Sequence, residues 1–184
     1  MLPYVIAIVV IVVLLSLVDV VFYNGLVKLK NKVEAAWAQI DVQLTRRAEL
    51  IPNLVETVKG YAAHEKSTLD AVVQARNSAM AASGPKDKAE AENVLTGALK
   101  SVFALSEAYP DLKANQNFLN LQETLTATED KIAYARQFYN DTVNSYNTKI
   151  ETVPYSIIAR VFHFEEREYF EAGGAARGPV DVEF

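Results

Sequence analysis

The chain has 184 residues, of which 51% are hydrophobic and 22% charged, with a formal net charge of −5 at pH 7 and no cysteine. This length allows one helical domain plus an appendage, without a second core. The acidic balance excludes a nucleic-acid footprint, which needs a basic stripe, and the lack of cysteine excludes disulfides, a thiolate nucleophile and a cysteine-based metal site.

The first element is an apolar run over residues 1–22, in which Asp19 is the only charged residue. As a helix it would be about 33 Å long, which exceeds the bilayer core of roughly 30 Å. The run lacks the basic start and the small-residue cleavage site of a signal peptide. We therefore predict a single-pass anchor at residues 1–23 in the cell membrane, rather than a buried core helix, with Asp19 at the headgroup level.

The charges that follow the anchor bear on its orientation. Lys28, Lys30 and Lys32 come soon after it, whereas no lysine or arginine precedes it. By the positive-inside rule, the domain beyond the anchor is expected in the cytoplasm.

The rest of the chain predicts long amphipathic helices. An apolar stripe with steps of three and four residues runs from Tyr23 to about Ala82, and further helices are expected from Lys86 to Glu107 and from about Asn115 to Thr152. Ser83, Gly84 and Pro85 break the first stripe, and Pro154 ends the last. Short loops between long helices favour an all-α, antiparallel bundle over residues 24–153.

Pro52 leaves two versions of this bundle open. If the first helix kinks at the proline, the soluble part has three long helices; if the chain reverses there, it has four. The stripe keeps its phase across Pro52, which favours the kinked helix.

One position of the stripe is filled by Arg47 instead of an apolar residue. A buried guanidinium needs a carboxylate and full hydrogen bonding. We therefore expect Arg47 to pair with an acid on another helix, with Glu107 and Glu129 as the best candidates. More generally, the carboxylates of Glu65, Glu107 and Glu129 are expected to pair with arginines between helices.

The stretch around Pro52 resembles the LemA family, whose hallmark here reads Arg46, Arg47, Glu49, Leu50 to Val55 and Val58 to Tyr61. Further matches are Tyr23 and Asn24, Glu107 to Lys113, Tyr139 and Asn140, and Tyr146 and Asn147. The residues to which we assign a structural role are Arg46, Arg47, Pro52, Asn53, Glu65, Glu107, Tyr109, Pro110, Tyr139, Asn140 and Tyr146.

The resemblance extends over about residues 20–170 and implies a membrane-associated helical bundle, described as four-helix, of uncertain molecular function. It also implies kinship with proteins of organelle-like bacterial membranes. Some relatives resemble lipoproteins, which would place the domain outside the cytoplasm, so the side of the membrane stays open.

Catalytic and metal signals are weak. His64 and Glu65 are adjacent, whereas helical metal ligands are spaced by three or four residues, and His163 between two phenylalanines is typical of a packed or surface residue. The sequence has no phosphate-binding glycine loop, nucleophile elbow or zinc motif. We predict no catalytic site, metal or cofactor, so that the protein is not an enzyme.

The C-terminal segment, residues 154–184, is too apolar between residues 155 and 170 to stay free in water, so it should dock on the bundle, the membrane or a partner. At the terminus, Val182 and Phe184 would share one face of a strand, which suits capture by a PDZ-type domain. The simpler alternatives are a disordered tail or a strand that lies on its own bundle.

These features together predict a membrane-anchored scaffold or adaptor. Its expected partners are the lipid bilayer and other membrane proteins, for example a protease with a PDZ-type domain, or a second copy through self-association. The alternative is a regulated binding module or enzyme with a site in the bundle core.

Overall fold

The computed structural model describes residues 2–171, except for the side chain of Leu15, and in that part the chain is helical without strands. Its helices are α1 (Leu2–Lys59), α2 (Lys66–Ala81), α3 (Pro85–Ala108), α4 (Pro110–Lys113), α5 (Gln116–Glu151) and α6 (Tyr155–Val161). The predicted all-α bundle is confirmed. The described part divides into two compact units, taken in turn: residues 2–38 with 138–167, and residues 39–137 with 168–171.

The second unit packs the end of α1, helices α2 to α4 and the first part of α5 around one apolar core. Its core side chains recur every three or four residues because that spacing keeps them on one face of each helix. The core residues include Ile51, Leu54, Val58, Leu69, Val72, Leu95, Leu99, Val102, Leu112, Phe118 and Leu125.

The expected first helix is wrong in its end point. Helix α1 continues through Pro52 but stops at Lys59, and α2 begins only at Lys66. The favoured helix through Pro52 is confirmed, and the reversal placed at Pro52 is wrong. The chain instead reverses after Gly60, so this unit has the four-helix arrangement implied by the family rather than three long helices. Glycine is a poor helix former, and the Val58 carbonyl accepts the N–H groups of both Tyr61 and Ala62, at 3.0 and 2.8 Å, which closes a tight turn.

Helices α3 and α5 agree with the expected ranges to within one residue at each end. Gly84 has a φ of 82°, a backbone conformation that glycine adopts without strain, and Pro85 occupies the first turn of α3. The side chain of Asn115 caps α5 by accepting the N–H of Phe118 at 2.9 Å.

The first unit combines the start of α1 with the end of α5 and α6. The apolar side chains of residues 2–14 and 16–21 are exposed. An 18-residue window of α1 has a mean hydropathy of 3.3, so α1 is long and apolar enough to cross a membrane. Beyond it the unit buries a second set of core residues: Leu26, Val33, Ala36, Tyr139, Val143, Tyr146, Ile150, Ile158 and Ala159.

Candidate functional site

Arg47 lies at the centre of a buried ion cluster in the second unit. Its side chain points inward from α1 and is only 1% exposed, and Glu92 on α3 is 5% exposed. The guanidinium forms ion pairs with the carboxylates of Glu92 and Glu129, and it donates to the hydroxyl of Thr96 at 3.0 Å.

The expected burial of Arg47 and its pairing with Glu129 are confirmed, but the proposed pairing with Glu107 is wrong. Glu107 is exposed and pairs with Lys113 at 2.8 Å, because both lie at the surface near the end of α3. Glu92 was missed, since no local signal distinguishes it from the other acids of α3.

The cluster has two carboxylates for one guanidinium. The side chain of Glu129 is half-exposed, so water solvates part of its charge, whereas the Glu92 carboxylate depends on Arg47. A buried charge that loses its partner costs about 3–5 kcal/mol. The geometry therefore makes Arg47 a link among α1, α3 and α5.

Pro52 has a defined role in the packing of α1 against α2. Proline has no N–H, so the carbonyl of Ala48, four residues earlier, lacks its usual helical donor. Arg76 on α2 supplies one: its Nε donates to the Ala48 oxygen at 2.7 Å. The proline thus exposes an acceptor on α1 that a cation on the neighbouring helix uses.

Two side-chain hydrogen bonds connect the turn between α1 and α2 to the region between α3 and α5. The Tyr61 hydroxyl accepts the amide of Asn115 at 2.8 Å, and the Tyr109 hydroxyl donates to the Glu65 carboxylate at 3.0 Å. Glu65 therefore has a tyrosine as its partner, and the expected arginine pairing is wrong for it. The hydrogen bond to this anionic carboxylate raises the pKa of Tyr109 above its usual value.

In the first unit, Tyr146 and Asn147 on α5 bind the backbone of the chain that follows α6. Tyr146 donates to the backbone oxygen of Glu165 at 3.0 Å, and the Asn147 amide makes two bonds of 2.9 Å to the backbone of Arg167. Burial raises the pKa of Tyr146, and the nearby Arg167 opposes that shift. The ring of Tyr139 packs on Trp37, with centroids 5.5 Å apart.

The remaining residues with an assigned structural role lie at the surface or close to it. Arg46, Asn53 and Pro110 are exposed, and Asn140 is half-buried. Val182 and Phe184, the candidate partner-binding residues, lie outside the described part of the chain.

Two surface depressions occur in the second unit. An open groove of about 510 Å³ is lined by Asn53, Glu56, Thr57, Asn117, Asn120, Leu121 and Thr124. A smaller one of about 200 Å³ lies beside the ion cluster and is lined in part by Arg76, Lys88 and Glu92. Within residues 2–171, no cluster of three or more histidine, aspartate or glutamate side chains is arranged to hold a metal ion.

Comparison with known proteins decides the family. The model of the LemA family matches residues 36–184, which is most of the chain. The chain belongs to the LemA family. The LemA match covers both the Arg47 cluster and the tyrosine motif of α5, which confirms the resemblance inferred from these residues.

Similar proteins come from several bacteria. Protein LemA of Metamycoplasma hominis is 27% identical over 163 residues, covering 86% of this chain and 73% of the relative. Magnetosome protein MamQ 2 of Paramagnetospirillum magneticum and magnetosome protein MamQ of Magnetospirillum gryphiswaldense are each 24% identical over 184 residues, covering 86% of this chain and 68% of the relative.

Proposed function

We propose that this LemA-family protein is a membrane-anchored scaffold or adaptor that acts through protein–protein contacts at a bacterial membrane, and that it has no catalytic role. The observation that carries this proposal is the use of the motif side chains within the fold. Arg47, Glu65, Tyr109 and Tyr146 all bind other groups of the bundle, so their chemistry supports architecture.

The N-terminal part of α1 supports the membrane assignment. Its apolar side chains are exposed over residues 2–14 and 16–21, which is unfavourable in water and favourable in a bilayer. The names of the MamQ relatives refer to the magnetosome, a bacterial organelle, which fits a role at an organised bacterial membrane.

For the partner, we favour a protein that binds the C-terminus. In an extended strand, Val182 and Phe184 would point to the same side. PDZ-type domains bind such a segment by adding it as a strand to the edge of their sheet. A membrane protease carrying such a domain would be a suitable partner.

The test is co-purification of the full chain from membranes, with and without residues 179–184. Deletion should leave the helicity and melting of the bundle unchanged and remove the partner. The single change Phe184→Ala should weaken capture several-fold, whereas the matched change Glu183→Gln should not, because residue 183 would face away from the groove of the partner.

Two results would contradict the proposal. An identical set of co-purifying proteins with and without residues 179–184 would rule out the C-terminus as the binding element. A stoichiometric metal in the purified chain would contradict a scaffold without a chemical site.

A further inference from the structure

Helix α6 has an apolar face that is open to its surroundings. Val153, Ile157 and Val161 follow one another at steps of four residues and are 78%, 59% and 63% exposed, and Phe162 beside them is 52% exposed. Ile157 and Val161, spaced by four, lie on the same side of α6, whereas Val153 precedes the helix and Phe162 follows it. These four residues, named here the interfacial face, form an apolar patch of the kind that usually contacts another phase or molecule.

Tyr155 fixes α6 to α1 at the end of the apolar run. Its ring meets Phe22 edge-on, with centroids 4.8 Å apart. It lies so close to Gly25 that an added Cβ there would be only 3.2 Å from the ring, so the glycine makes room for the contact. The ammonium group of Lys149 lies 4.0 Å from the ring centroid on the tyrosine face.

The turn after α6 adds a second contact with α1. His163 has a φ of 55°, and the N–H of Phe164 donates to the Ala159 carbonyl at 2.9 Å, which together end the helix in a left-handed cap. The turn places Phe162 and Phe164 against the ring of Tyr23, with centroids 4.8 and 5.8 Å away.

We propose that α6 is a second membrane contact, with its interfacial face inserted into the headgroup layer of the same bilayer that α1 crosses. The aromatic contacts hold α6 beside Phe22 and Tyr23, where the apolar run of α1 ends and where aromatic rings favour the membrane interface. Short amphipathic segments lie in that layer with their apolar side toward the acyl chains. The proposal rests on the membrane anchoring proposed above.

The charges around α6 indicate what drives this contact. Arg160 is exposed and can reach lipid phosphates from the edge of the interfacial face, but Glu165 and Glu166 are exposed just after the turn. With charges of both signs present, burial of apolar side chains is the main contribution. Insertion should therefore occur in uncharged phosphatidylcholine vesicles as well as in vesicles that contain phosphatidylglycerol.

The experiment uses the full chain with single cysteines, which the cysteine-free sequence allows. Ile157→Cys and Val161→Cys carry an environment-sensitive fluorophore in phosphatidylcholine vesicles, and Ala38→Cys serves as the matched control. Ala38 is exposed on the same helix as Tyr23, about 22 Å further along. Lipids with a nitroxide near the headgroup should quench the labels at 157 and 161 several-fold more than the label at 38, and aqueous iodide should show the reverse order.

A label at Val10→Cys, within the apolar run, separates the two proposals when it is measured with lipids whose nitroxide lies deep in the acyl chains. If lipid nitroxides quench residue 10 but iodide reaches residues 157 and 161 as freely as residue 38, the anchor holds and the interfacial contact is wrong. If residues 157 and 161 are shielded from iodide without quenching by lipid, a protein or a second copy covers them, and the proposal is also wrong. Lack of lipid quenching at residue 10 would overturn both.

Discussion

Two adjacent arginines show how strongly the surroundings of a side chain determine its role. Arg46 is exposed, whereas Arg47 is buried between α3 and α5, where its two terminal nitrogens bind two carboxylates and a hydroxyl. The two residues carry the same charge and differ in sequence by one position. Any difference between their alanine variants therefore measures burial and pairing rather than charge alone.

We expect Arg47→Ala to lower the free energy of unfolding by about 3 kcal/mol, because it leaves the Glu92 carboxylate buried without a cation. Arg46→Ala should change it by less than about 0.5 kcal/mol, as is usual for surface substitutions. Urea denaturation of the full chain in detergent micelles, followed by circular dichroism, measures both. Equal midpoints for the two variants would show that Arg47 faces water in solution.

The inward position of Arg47 could be predicted because it occupies an apolar step of the stripe. Only one of its two carboxylate partners could be predicted. Glu129 was one of two candidates, whereas Glu92 looks like an ordinary solvated acid in the sequence of α3. Which acid meets a buried arginine depends on the rotation of the neighbouring helices about their axes. Single-sequence periodicity gives the face of each helix and leaves that rotation undetermined.

At the scale of elements, the helices between clear breaks were predictable and the break after Lys59 was not. Gly84 with Pro85 and Pro154 are strong signals, and the structure has helix boundaries at both places. Gly60 is weaker, since a single glycine is tolerated inside a helix. The apolar spacing also continues from Val58 to Ala62, which is buried in the turn, so the pattern hides the reversal.

The hydrogen bond from Arg76 on α2 to the Ala48 carbonyl on α1 gives a prediction about how these two helices are joined. Arg76→Ala should cost about 1.5 kcal/mol, because it removes the charged donor to the Ala48 carbonyl. In a Pro52→Ala background the new N–H at residue 52 can bind the same carbonyl, so the cost of Arg76→Ala should fall by about 0.5 kcal/mol or more. The two single variants and the double variant, unfolded under the same conditions, form the cycle.

Ser78→Ala is the matched control for this cycle, because residue 78 is exposed on the same helix. Its effect should be small and equal in both backgrounds. Additive effects of the Pro52 and Arg76 changes would mean that the proline does not create the acceptor that Arg76 uses. Pro52→Ala by itself should leave the chain folded, since α1 is already helical on both sides of the proline.

For the whole molecule, the proposed membrane anchor leads to a prediction about the side of the membrane on which the bundle lies. The apolar run and the lysines that follow it belong to one helix, α1. Cysteine labelling can therefore locate positions of α1 on both sides of the apolar run. Lys28 and Lys30 lie about 8 and 11 Å beyond Tyr23 along this helix. Charges at that distance from the end of an apolar run are the ones that the positive-inside rule counts.

We expect the bundle to lie in the cytoplasm, because moving Lys28, Lys30 and Lys32 through the bilayer during insertion is unfavourable compared with moving residues 2–18, which have no charged side chain. Single-cysteine variants Leu2→Cys and Ala38→Cys, both at exposed positions of α1, can be treated with a membrane-impermeant maleimide. In intact spheroplasts the reagent should label residue 2 and leave residue 38 unmodified until the cells are lysed. The reverse pattern would place the bundle outside the cytoplasm and would show that the lysines do not determine the orientation of this anchor.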